Sequence, residues 1–259
     1  MKFSLCIDMM FSYLDFYDRF AAVKNAGLGT VEFWKWSVKD ILRVRKLLAE
    51  NEMNLSLMNI DVKDDEALSY DLSRGILNKK RSGNLIRAIE ESAAVCDELG
   101  CRNLIVLIGE TEDGVSYEEQ KENVFASLCD AAPYAEKNGV TLMVEPLNAY
   151  DRKNYFMPES DPAADIIRSV ASKNVKMLFD IYHQQRTEGN ILERIEKNID
   201  IIGHFHVADS PKRTEPGTGE LNWKNILKFI ENTGYSGYVG LEYRATRPDA
   251  ETLGFTKEI

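Results

Sequence analysis

Four residues whose side chains can bind a metal ion or carry a proton stand at the ends of four successive apolar segments. Each segment is rich in large or β-branched apolar residues, as a buried strand is, and each supplies one such side chain. The four residues are Glu145 in VEP, Asp180 in LFD, His206 in HFHVAD and Glu242 in GLEYR. Inward-pointing residues at the ends of neighbouring parallel strands, about 4.8 Å apart, can converge on one point. We therefore expect these four residues to form one site.

Three carboxylates and one imidazole around a point repel one another unless a cation lies between them. A donor set of mostly oxygen with one nitrogen suits Mg²⁺ or Mn²⁺, with Co²⁺ or Zn²⁺ as further candidates, better than it suits a structural zinc site. The sequence therefore predicts a divalent ion. The alternative is that each acid is an ordinary strand-end carboxylate paired with a nearby lysine or arginine.

All three histidines of the chain lie between positions 183 and 206. His204 and His206 are two residues apart on one predicted strand, so their side chains point to the same side. We place His206 at the rim of the site and His204 one layer deeper, as a hydrogen-bonded interior histidine. His183 is expected to leave the preceding strand into a loop, where it could reach a substrate hydroxyl, with a surface histidine as the alternative.

Further residues near the predicted strand ends could complete a substrate pocket. Arg213, in the loop SPKRTEPGTGE, could hold a carboxylate or carbonyl oxygen through two parallel hydrogen bonds, while the adjacent Lys212 is expected to be solvated. Glu32 in VEFWKW either points toward the pocket or forms a buried pair with an arginine. Trp34 could wall the pocket with apolar surface, although core packing is the default for an aromatic residue at a strand end.

Strand-like apolar runs alternate with segments of helical periodicity along the chain, as in repeated βα units. Eight strands are predicted, at residues 3–7, 30–34, 55–60, 103–109, 141–146, 175–180, 203–209 and 238–243. Helix-like segments between them include 39–50, 84–99, 118–138 and 223–232. This alternation predicts a (β/α)8 TIM barrel, with a doubly wound open sheet as the weaker alternative. In such a barrel the active site lies at the C-terminal ends of the strands.

Length and composition restrict the class of protein. The 259 residues contain no linker or low-complexity run, so one domain spanning residues 1–259 is predicted. A formal net charge of −10 argues against a nucleic-acid partner and favours a small-molecule ligand. The segment MKFSLCIDMMF lacks the unbroken apolar stretch of a signal peptide, and no later run could span a bilayer. We therefore expect a cytoplasmic protein without membrane contact, whose four unpaired cysteines are buried free thiols.

The chain resembles the hydroxypyruvate isomerase family in four long segments, VEPLN, VKMLFDIYHQQRTEGN, IGHFHVADSPKRTEPGTGELNW and GYVGLEYR. This family belongs to the xylose isomerase-like TIM barrel group, which also includes ketose 3-epimerases. The likeness extends from SLCIDMMF through VEFWKW to the final GLEY, which is nearly the whole chain. It is specific because several long motifs occur in the right order and spacing.

The resemblance implies roles for individual residues. Glu145 and Glu242 would be the acid/base pair, and in metal-dependent relatives the four strand-end residues bind the ion. By similarity to the epimerases, His183 and Arg213 would contact substrate. The chain departs from the pattern at two places. Many hydroxypyruvate isomerase relatives have glutamine where His206 stands, and the loop after it is one residue longer than in the epimerases, which leaves Lys212 and Arg213 as alternatives for the arginine's place.

We expect a metal-assisted isomerase that interconverts a short α-hydroxycarbonyl acid, either hydroxypyruvate and tartronate semialdehyde or a 2-oxotetronate, through an enediolate. The negative oxygens of that intermediate need a cation, while the two glutamates serve as base and acid. The alternatives are a ketose 3-epimerase, which His206 and DIYH favour, and a non-catalytic barrel that binds a sugar acid or a partner subunit. An apurinic-site endonuclease would need a histidine-rich multi-zinc centre, which three histidines disfavour. Relatives often form dimers or tetramers, but no segment of the sequence marks an interface.

Overall fold

Eight parallel strands close into a barrel in the structure, a computed structural model that describes residues 1–77 and 82–257. Neighbouring strands pair in chain order, and the first strand also pairs with the last, with Leu5 opposite Leu241. The strands are β1 (Lys2–Cys6), β2 (Thr30–Glu32), β3 (Asn54–Asn59), β4 (Asn103–Leu107), β5 (Thr141–Glu145), β6 (Val175–Asp180), β7 (Ile202–Val207) and β8 (Tyr238–Leu241). The predicted (β/α)8 barrel is confirmed, and the open-sheet alternative is wrong because the sheet closes on itself.

Helices connect the strands. They are α1 (Arg19–Asn25), α2 (Ile41–Glu50), α3 (Glu66–Ser73), α4 (Ser82–Leu99), α5 (Tyr117–Lys137), α6 (Ser160–Val170), α7 (Ile181–Thr187), α8 (Ile191–Asn198), α9 (Trp223–Asn232) and α10 (Asp249–Thr252), followed by a 3₁₀ turn at Gly254–Lys257. The four helical segments predicted from the sequence correspond to α2, α4, α5 and α9. The side chains of Asp40, Ser116 and Asn222 accept backbone hydrogen bonds at the first turns of α2, α5 and α9, which explains why these helices begin there.

Every strand except β6 ends one or two residues earlier than the sequence predicts, and β2 and β4 each end two residues early. β2 stops at Glu32, and shortly after it the backbone N–H of Trp34 donates to Oδ2 of Asp8 (2.7 Å) instead of to a neighbouring strand. β4 stops before Gly109, whose φ of 114° is a left-handed conformation that glycine adopts without steric cost. Gly109 forms an isolated antiparallel bridge with Gly75, which attaches the end of α3 to the rim of the barrel.

The inside of the barrel has an apolar part and a polar part. The apolar part is a small buried cluster from four adjacent strands, formed by Leu57, Ile105, Met143 and Leu178. The polar part consists of buried side chains from β1, β2, β3 and β7, namely Ser4, Glu32, Ser56, His204 and His206. A separate and larger set of apolar residues forms the main hydrophobic core. Polar side chains in the barrel interior therefore stand directly below the strand ends that the sequence marks as a site.

Two further expectations from the sequence concern the cysteines and the membrane. All four cysteines are free thiols; Cys6, Cys96 and Cys101 are buried, and Cys129 on α5 is half-buried. Across residues 1–77 and 82–257, no helix combines the length and the apolar character that crossing a bilayer requires.

Candidate active site

Four side chains meet at the C-terminal end of the barrel: Glu145, Asp180, His206 and Glu242. Glu145 and Asp180 are the last residues of β5 and β6. His206 is next to last in β7, and Glu242 directly follows β8. Each offers one nitrogen or oxygen atom, and these four atoms all lie within 4.8 Å of one another. The structure thus brings together the four buried residues that the sequence assigned to one site, which we call the carboxylate cluster.

Asp180 joins β6 directly to α7. Its Oδ1 atom accepts hydrogen bonds from the backbone N–H groups of Tyr182 (2.8 Å) and His183 (3.2 Å), so it caps the helix. The predicted loop position of His183 is therefore wrong, because the strand passes straight into α7. The other oxygen, Oδ2, is buried and accepts no hydrogen bond within the described part of the chain. Burial raises the pKa of Asp180 to about 7, and the charges of Glu242 and Glu145 act in the same direction.

The two glutamates of the cluster both approach His206. Its Nδ1 atom lies 3.3 Å from Oε2 of Glu242 and 3.8 Å from Oε1 of Glu145. Burial raises the pKa of Glu145. Burial also acts on Glu242, but the positive charges of His206 and Arg213 and a hydrogen bond from Nε1 of Trp34 (2.8 Å) hold its pKa below the usual range. The environments of the two carboxylates therefore push their pKa values in opposite directions.

A second buried cluster lies one layer deeper and centres on Glu32. Its Oε1 atom is 3.0 Å from Nε2 of His206, and its Oε2 atom is 3.1 Å from Nε2 of His204. Oε2 also accepts hydrogen bonds from the hydroxyls of Ser4 (2.9 Å) and Ser56 (3.2 Å). Burial opposes ionisation, but the two histidines bring the pKa of Glu32 to about 2. Glu32 therefore pairs with histidines and not with an arginine, and it lies below the cavity wall, so its position does not support the predicted substrate contact.

Gly240 in β8 leaves the space in which Glu32 and His206 meet. A Cβ atom at this position would lie 2.4 Å from Oε1 of Glu32 and 2.7 Å from Cδ2 of His206. These separations are far below van der Waals contact, so a larger residue at this position would push the two side chains apart. In the sequence, the glycine of the GLEY motif is the residue that makes room for the Glu32–His206 pair.

Arg213 reaches the carboxylate cluster from the loop after β7. One terminal nitrogen, Nη2, bonds to Oε2 of Glu242 and lies 3.5 Å from Oδ2 of Asp180. The backbone of Arg213 is left-handed, with a φ of 58°, and its N–H donates to the carbonyl of Asp209 (2.9 Å). Lys212, one residue earlier, is exposed at the cavity wall. Of the two alternatives left open by the loop length, Arg213 is the one that contacts the cluster.

The carboxylate cluster borders a cavity of about 900 Å³. The candidate residues that line the cavity are Trp34, Glu145, His183, Arg213 and Glu242. The wall also contains six further cationic side chains, those of Lys35, Arg74, Arg152, Arg186, Lys212 and Arg244. Among the described residues that line this cavity, seven are cationic and four are acidic, so a chain with a formal net charge of −10 gives the cavity an excess of basic groups, which favours an anionic ligand.

Two residues that support the site were missed in the sequence analysis. The backbone N–H of Asn148 donates to Nδ1 of His183 (3.1 Å), whose Nε2 lies 3.5 Å from Oδ2 of Asp180. Burial lowers the pKa of His183 well below its usual value. The Tyr155 hydroxyl accepts from the backbone N–H at 108 (2.8 Å) and donates to the carbonyl of Glu145 (2.8 Å). Asn148 lies in the VEPLN motif, which could have indicated it, whereas no sequence pattern marks Tyr155.

The carboxylate cluster fits a divalent ion. Oδ2 of Asp180 and Nδ1 of His206 are buried and lack a hydrogen-bond partner among the described residues, so both are available as ligand atoms. Oε1 of Glu32 lies 3.0 Å from the other ring nitrogen of His206, so a carboxylate stands beside the imidazole on the side away from the proposed ion, as is usual for a histidine that binds a metal. Three carboxylate oxygens and one imidazole nitrogen suit Mg²⁺ or Mn²⁺. The residues that would hold the ion are Glu145, Asp180, His206 and Glu242.

Comparisons with known proteins agree with the fold and with the motifs. Residues 20–259 match the family described as Xylose isomerase-like TIM barrel. The chain is 33% identical to hydroxypyruvate isomerase from Escherichia coli (strain K12) over 246 residues, 94% of this chain and 93% of that protein. It is 30% identical to 2-oxo-tetronate isomerase from Cupriavidus necator over 258 residues, 99% of this chain and 97% of that protein.

A solved structure with a closely similar fold is described as AP endonuclease, family 2, from Brucella melitensis. It superposes with a TM-score of 0.91 and 28% identity, covering 99% of this chain and 98% of that chain. The resemblance read from the sequence motifs is confirmed by the family match and by the full-length isomerase relatives. The chain is therefore an isomerase and belongs to the xylose isomerase-like TIM barrel family, alongside hydroxypyruvate isomerase.

Proposed function

We propose that the protein interconverts a short α-hydroxycarbonyl acid and its isomer, either hydroxypyruvate and tartronate semialdehyde or a 2-oxotetronate pair. The observation that carries this proposal is the pair of buried carboxylates at the cavity, Glu145 and Glu242, at 3.8 Å and 3.3 Å from one imidazole nitrogen. Two relatives that match nearly the full chain are named for isomerising hydroxypyruvate and 2-oxo-tetronate, which supports this substrate class.

The reaction requires two carbon-centred proton transfers. A proton leaves one carbon to form an enediolate, and a proton then joins the neighbouring carbon, while the hydroxyl proton moves between the two oxygens. Glu242, which its neighbours keep ionised, is suited to accept the first proton. Glu145, whose pKa is raised by burial, is suited to donate the second. Carboxylates with pKa values pushed apart can divide the roles of base and acid, and they exchange these roles in the reverse direction.

The other residues of the site would bind and orient the substrate. A divalent ion held by the carboxylate cluster, Mg²⁺ or Mn²⁺ in preference to Co²⁺ or Zn²⁺, would supply concentrated positive charge for the oxygen atoms of the substrate. His183 and Arg213 line the cavity within reach of the same region and would contact those oxygens. Trp34 donates to Glu242 from the cavity wall, where its ring would help to exclude water from the carboxylate.

An acid substrate also needs positive charge for its carboxylate. Lys212 and Arg244 line the cavity, and within residues 1–77 and 82–257 neither side chain forms an ion pair or a hydrogen bond. These two groups can attract the substrate carboxylate without breaking an internal contact. The excess of basic side chains in the wall therefore supports a sugar acid over a neutral sugar.

A ketose 3-epimerase is the second candidate. His206 favours it, because many relatives in the hydroxypyruvate isomerase family have glutamine at the position of His206. The paired carboxylates could also serve opposite faces of one carbon, which would invert that centre. In this case the substrate would be a neutral ketose, and the basic cavity wall would have no carboxylate to bind.

Proton NMR in D₂O with Mg²⁺ present separates these functions. Hydroxypyruvate, a 2-oxotetronate and a panel of ketoses are offered in turn to the wild type and to Glu145→Gln. Conversion of hydroxypyruvate to tartronate semialdehyde, with deuterium at the new C–H, is the expected result. Deuterium only at C3 of a ketose would assign the protein as an epimerase. Thermal stabilisation by an acid without any exchange would contradict catalysis and indicate a binding protein.

A further inference from the structure

Arg213 places a positive charge where the proposed ion would have its ligands. Its Nη2 atom bonds to Oε2 of Glu242 and lies 3.5 Å from Oδ2 of Asp180. Both oxygens belong to residues of the carboxylate cluster, and Oδ2 of Asp180 has no hydrogen-bond donor within the described residues. A guanidinium in this position neutralises part of the charge that a divalent ion would otherwise neutralise.

The backbone holds Arg213 in this position. Its φ of 58° lies in the left-handed region, which is a strained conformation for a residue with a side chain. The conformation is fixed on both sides, because the N–H of Arg213 donates to the carbonyl of Asp209 (2.9 Å) and its carbonyl accepts from the N–H of Arg244 (2.8 Å). The guanidinium also lies 5.3 Å from the ring of Tyr182. The loop between β7 and α9 thus keeps a strained residue whose side chain is directed at the carboxylates.

We propose that Arg213 and a divalent ion compete for the oxygens of Glu242 and Asp180, so that Arg213 sets the affinity of the site for the ion. The inference rests on the proposed ion site and extends it. Without the ion, Arg213 is the counter-charge that keeps the buried carboxylates compatible with the fold. When the ion binds, the guanidinium must leave these oxygens, and that step reduces the net free energy of ion binding.

The charge of Arg213 determines the direction of its effect on ion affinity. Two unit charges about 4 Å apart interact strongly at the effective dielectric constant near a protein surface, and the interaction with a doubly charged ion is stronger still. Removing the guanidinium therefore removes both a competitor and a repulsive charge. Solvent screening and structural relaxation weaken the repulsion between the guanidinium and the ion. Even if they cancel most of it, a variant without the charge of Arg213 should bind the ion about ten times more tightly.

Titration of Mn²⁺, with the free ion followed by electron paramagnetic resonance, tests the proposal in the metal-free protein. Arg213→Gln is compared with the wild type and with Lys212→Gln, which removes an exposed charge from the adjacent position. We expect a dissociation constant at least about tenfold lower for Arg213→Gln and one within about twofold of the wild type for Lys212→Gln. An affinity of Arg213→Gln for Mn²⁺ that is equal to or weaker than that of the wild type would overturn the proposal. So would the absence of Mn²⁺ binding in both of these proteins.

A second measurement uses the wild type alone, in case Arg213→Gln does not fold. Phenylglyoxal modifies free guanidinium groups, and peptide mass spectrometry reports the rate at Arg213, with Arg186 as the internal control. We expect Mn²⁺ to accelerate modification of Arg213, because the displaced guanidinium loses its carboxylate partners, and to leave Arg186 unchanged. An unchanged rate at Arg213 would contradict displacement. Neither measurement depends on turnover, so failure of the isomerase assignment in the NMR experiment remains a separate result.

Discussion

Oε1 of Glu32 lies 3.0 Å from Nε2 of His206, directly beneath the carboxylate cluster. Both side chains are almost completely buried, and the lack of a side chain at Gly240 leaves room for the contact. Because Glu32 engages one ring nitrogen, the other, Nδ1, faces Glu145 and Glu242. We therefore infer that Glu32 is a positioning residue, which would fix the orientation of His206 in the proposed ion site.

Replacing Glu32 with Gln should lower kcat by about 10- to 100-fold, the usual cost of losing an outer partner of a metal-binding histidine. The amide keeps the shape of the carboxylate but removes the charge that orients His206. The nitrogen chemical shifts of the imidazole, measured by NMR, should also change. Ser56→Ala, which removes one hydrogen bond to Glu32, is the control and should have a much smaller effect. Unchanged ring shifts together with normal kcat would rule out the positioning role.

Glu145→Gln and Glu242→Gln should each reduce turnover by about 10² to 10⁴-fold, because each removes one partner in proton transfer. Glu110→Gln is a matched control: Glu110 also lines the cavity, but it pairs with Arg152 and Arg74. Initial rates with hydroxypyruvate, and circular dichroism to verify folding, provide the measurement. Near-normal turnover in either cluster variant would remove that glutamate from the acid/base role.

Removing divalent ions should abolish turnover and lower the melting temperature. The ion would bind only the native carboxylate cluster, so it would stabilise that state in proportion to its concentration and affinity. Dialysis against a chelator followed by addition of Mg²⁺ or Mn²⁺ should restore both quantities. In Glu242→Gln, which lacks one ligand, the increase in melting temperature should be much smaller. Full turnover in protein shown by elemental analysis to be metal-free would exclude the ion from the mechanism.

Asp161 at the start of α6 should make stability depend on pH in the acid range. Burial opposes its ionisation, but hydrogen bonds from Lys197 (2.7 Å) and Asn198 (3.3 Å), with the charge of Arg194, hold its pKa below the usual value. A depressed carboxyl pKa stabilises the fold fully above the unfolded-state value of about 3.9, and this stabilisation is lost as pH falls through the folded-state pKa.

Asp161→Asn should therefore lower the free energy of unfolding by about 1 kcal/mol near neutral pH, as for a partly exposed ion pair. The difference from the wild type should shrink as the pH falls below about 4. Urea unfolding at a series of pH values measures both effects. Asp165→Asn, on the exposed side of the same helix, should change stability little at any of these values. If the difference in unfolding free energy between the wild type and Asp161→Asn grew toward acid pH, folding would raise the pKa of Asp161 and not lower it.

Gly75→Ala should destabilise the fold by about 3 kcal/mol or more, because it combines backbone strain with a backbone clash. The new Cβ would lie 2.3 Å from the carbonyl oxygen of Ile108 and 2.4 Å from the nitrogen of Gly109, at a φ of 104°. Gly139→Ala is the control, since that glycine has a φ of 64° but open space around it. It should cost only about 1 kcal/mol. If urea unfolding showed the same loss of unfolding free energy in both variants, the backbone at the Gly75–Gly109 bridge would be able to shift and make room for the new Cβ atom.

The strand order and the carboxylate cluster could be predicted from the sequence because both follow from local patterns. Apolar runs mark the strands, and a polar residue at the end of such a run in a closed parallel barrel must lie at the C-terminal rim. Glu145 and Asp180 illustrate this, since each is the last residue of its strand.

The remaining features depend on backbone geometry that the sequence does not express. β2 and β3 shift register between Val31 and Glu32, so the direction of the Glu32 side chain cannot be obtained by counting residues along the strand. Arg213 reaches the cluster through a left-handed backbone conformation, which no residue pattern in its loop indicates. His183 lies in the first turn of α7 because Asp180 caps that helix, a second role for a residue assigned to ion binding.

The pairing of β1 with β8 limits the ways in which this protein can associate with other chains. Each of the eight strands already has two hydrogen-bonded neighbours, so none offers an open edge onto which a foreign strand could add. Assembly by strand addition, whether ordered or as fibrils, is thereby blocked while the barrel is intact. A stable contact between copies would then be made by helices or loops and not by the hydrogen-bonding edge of a strand.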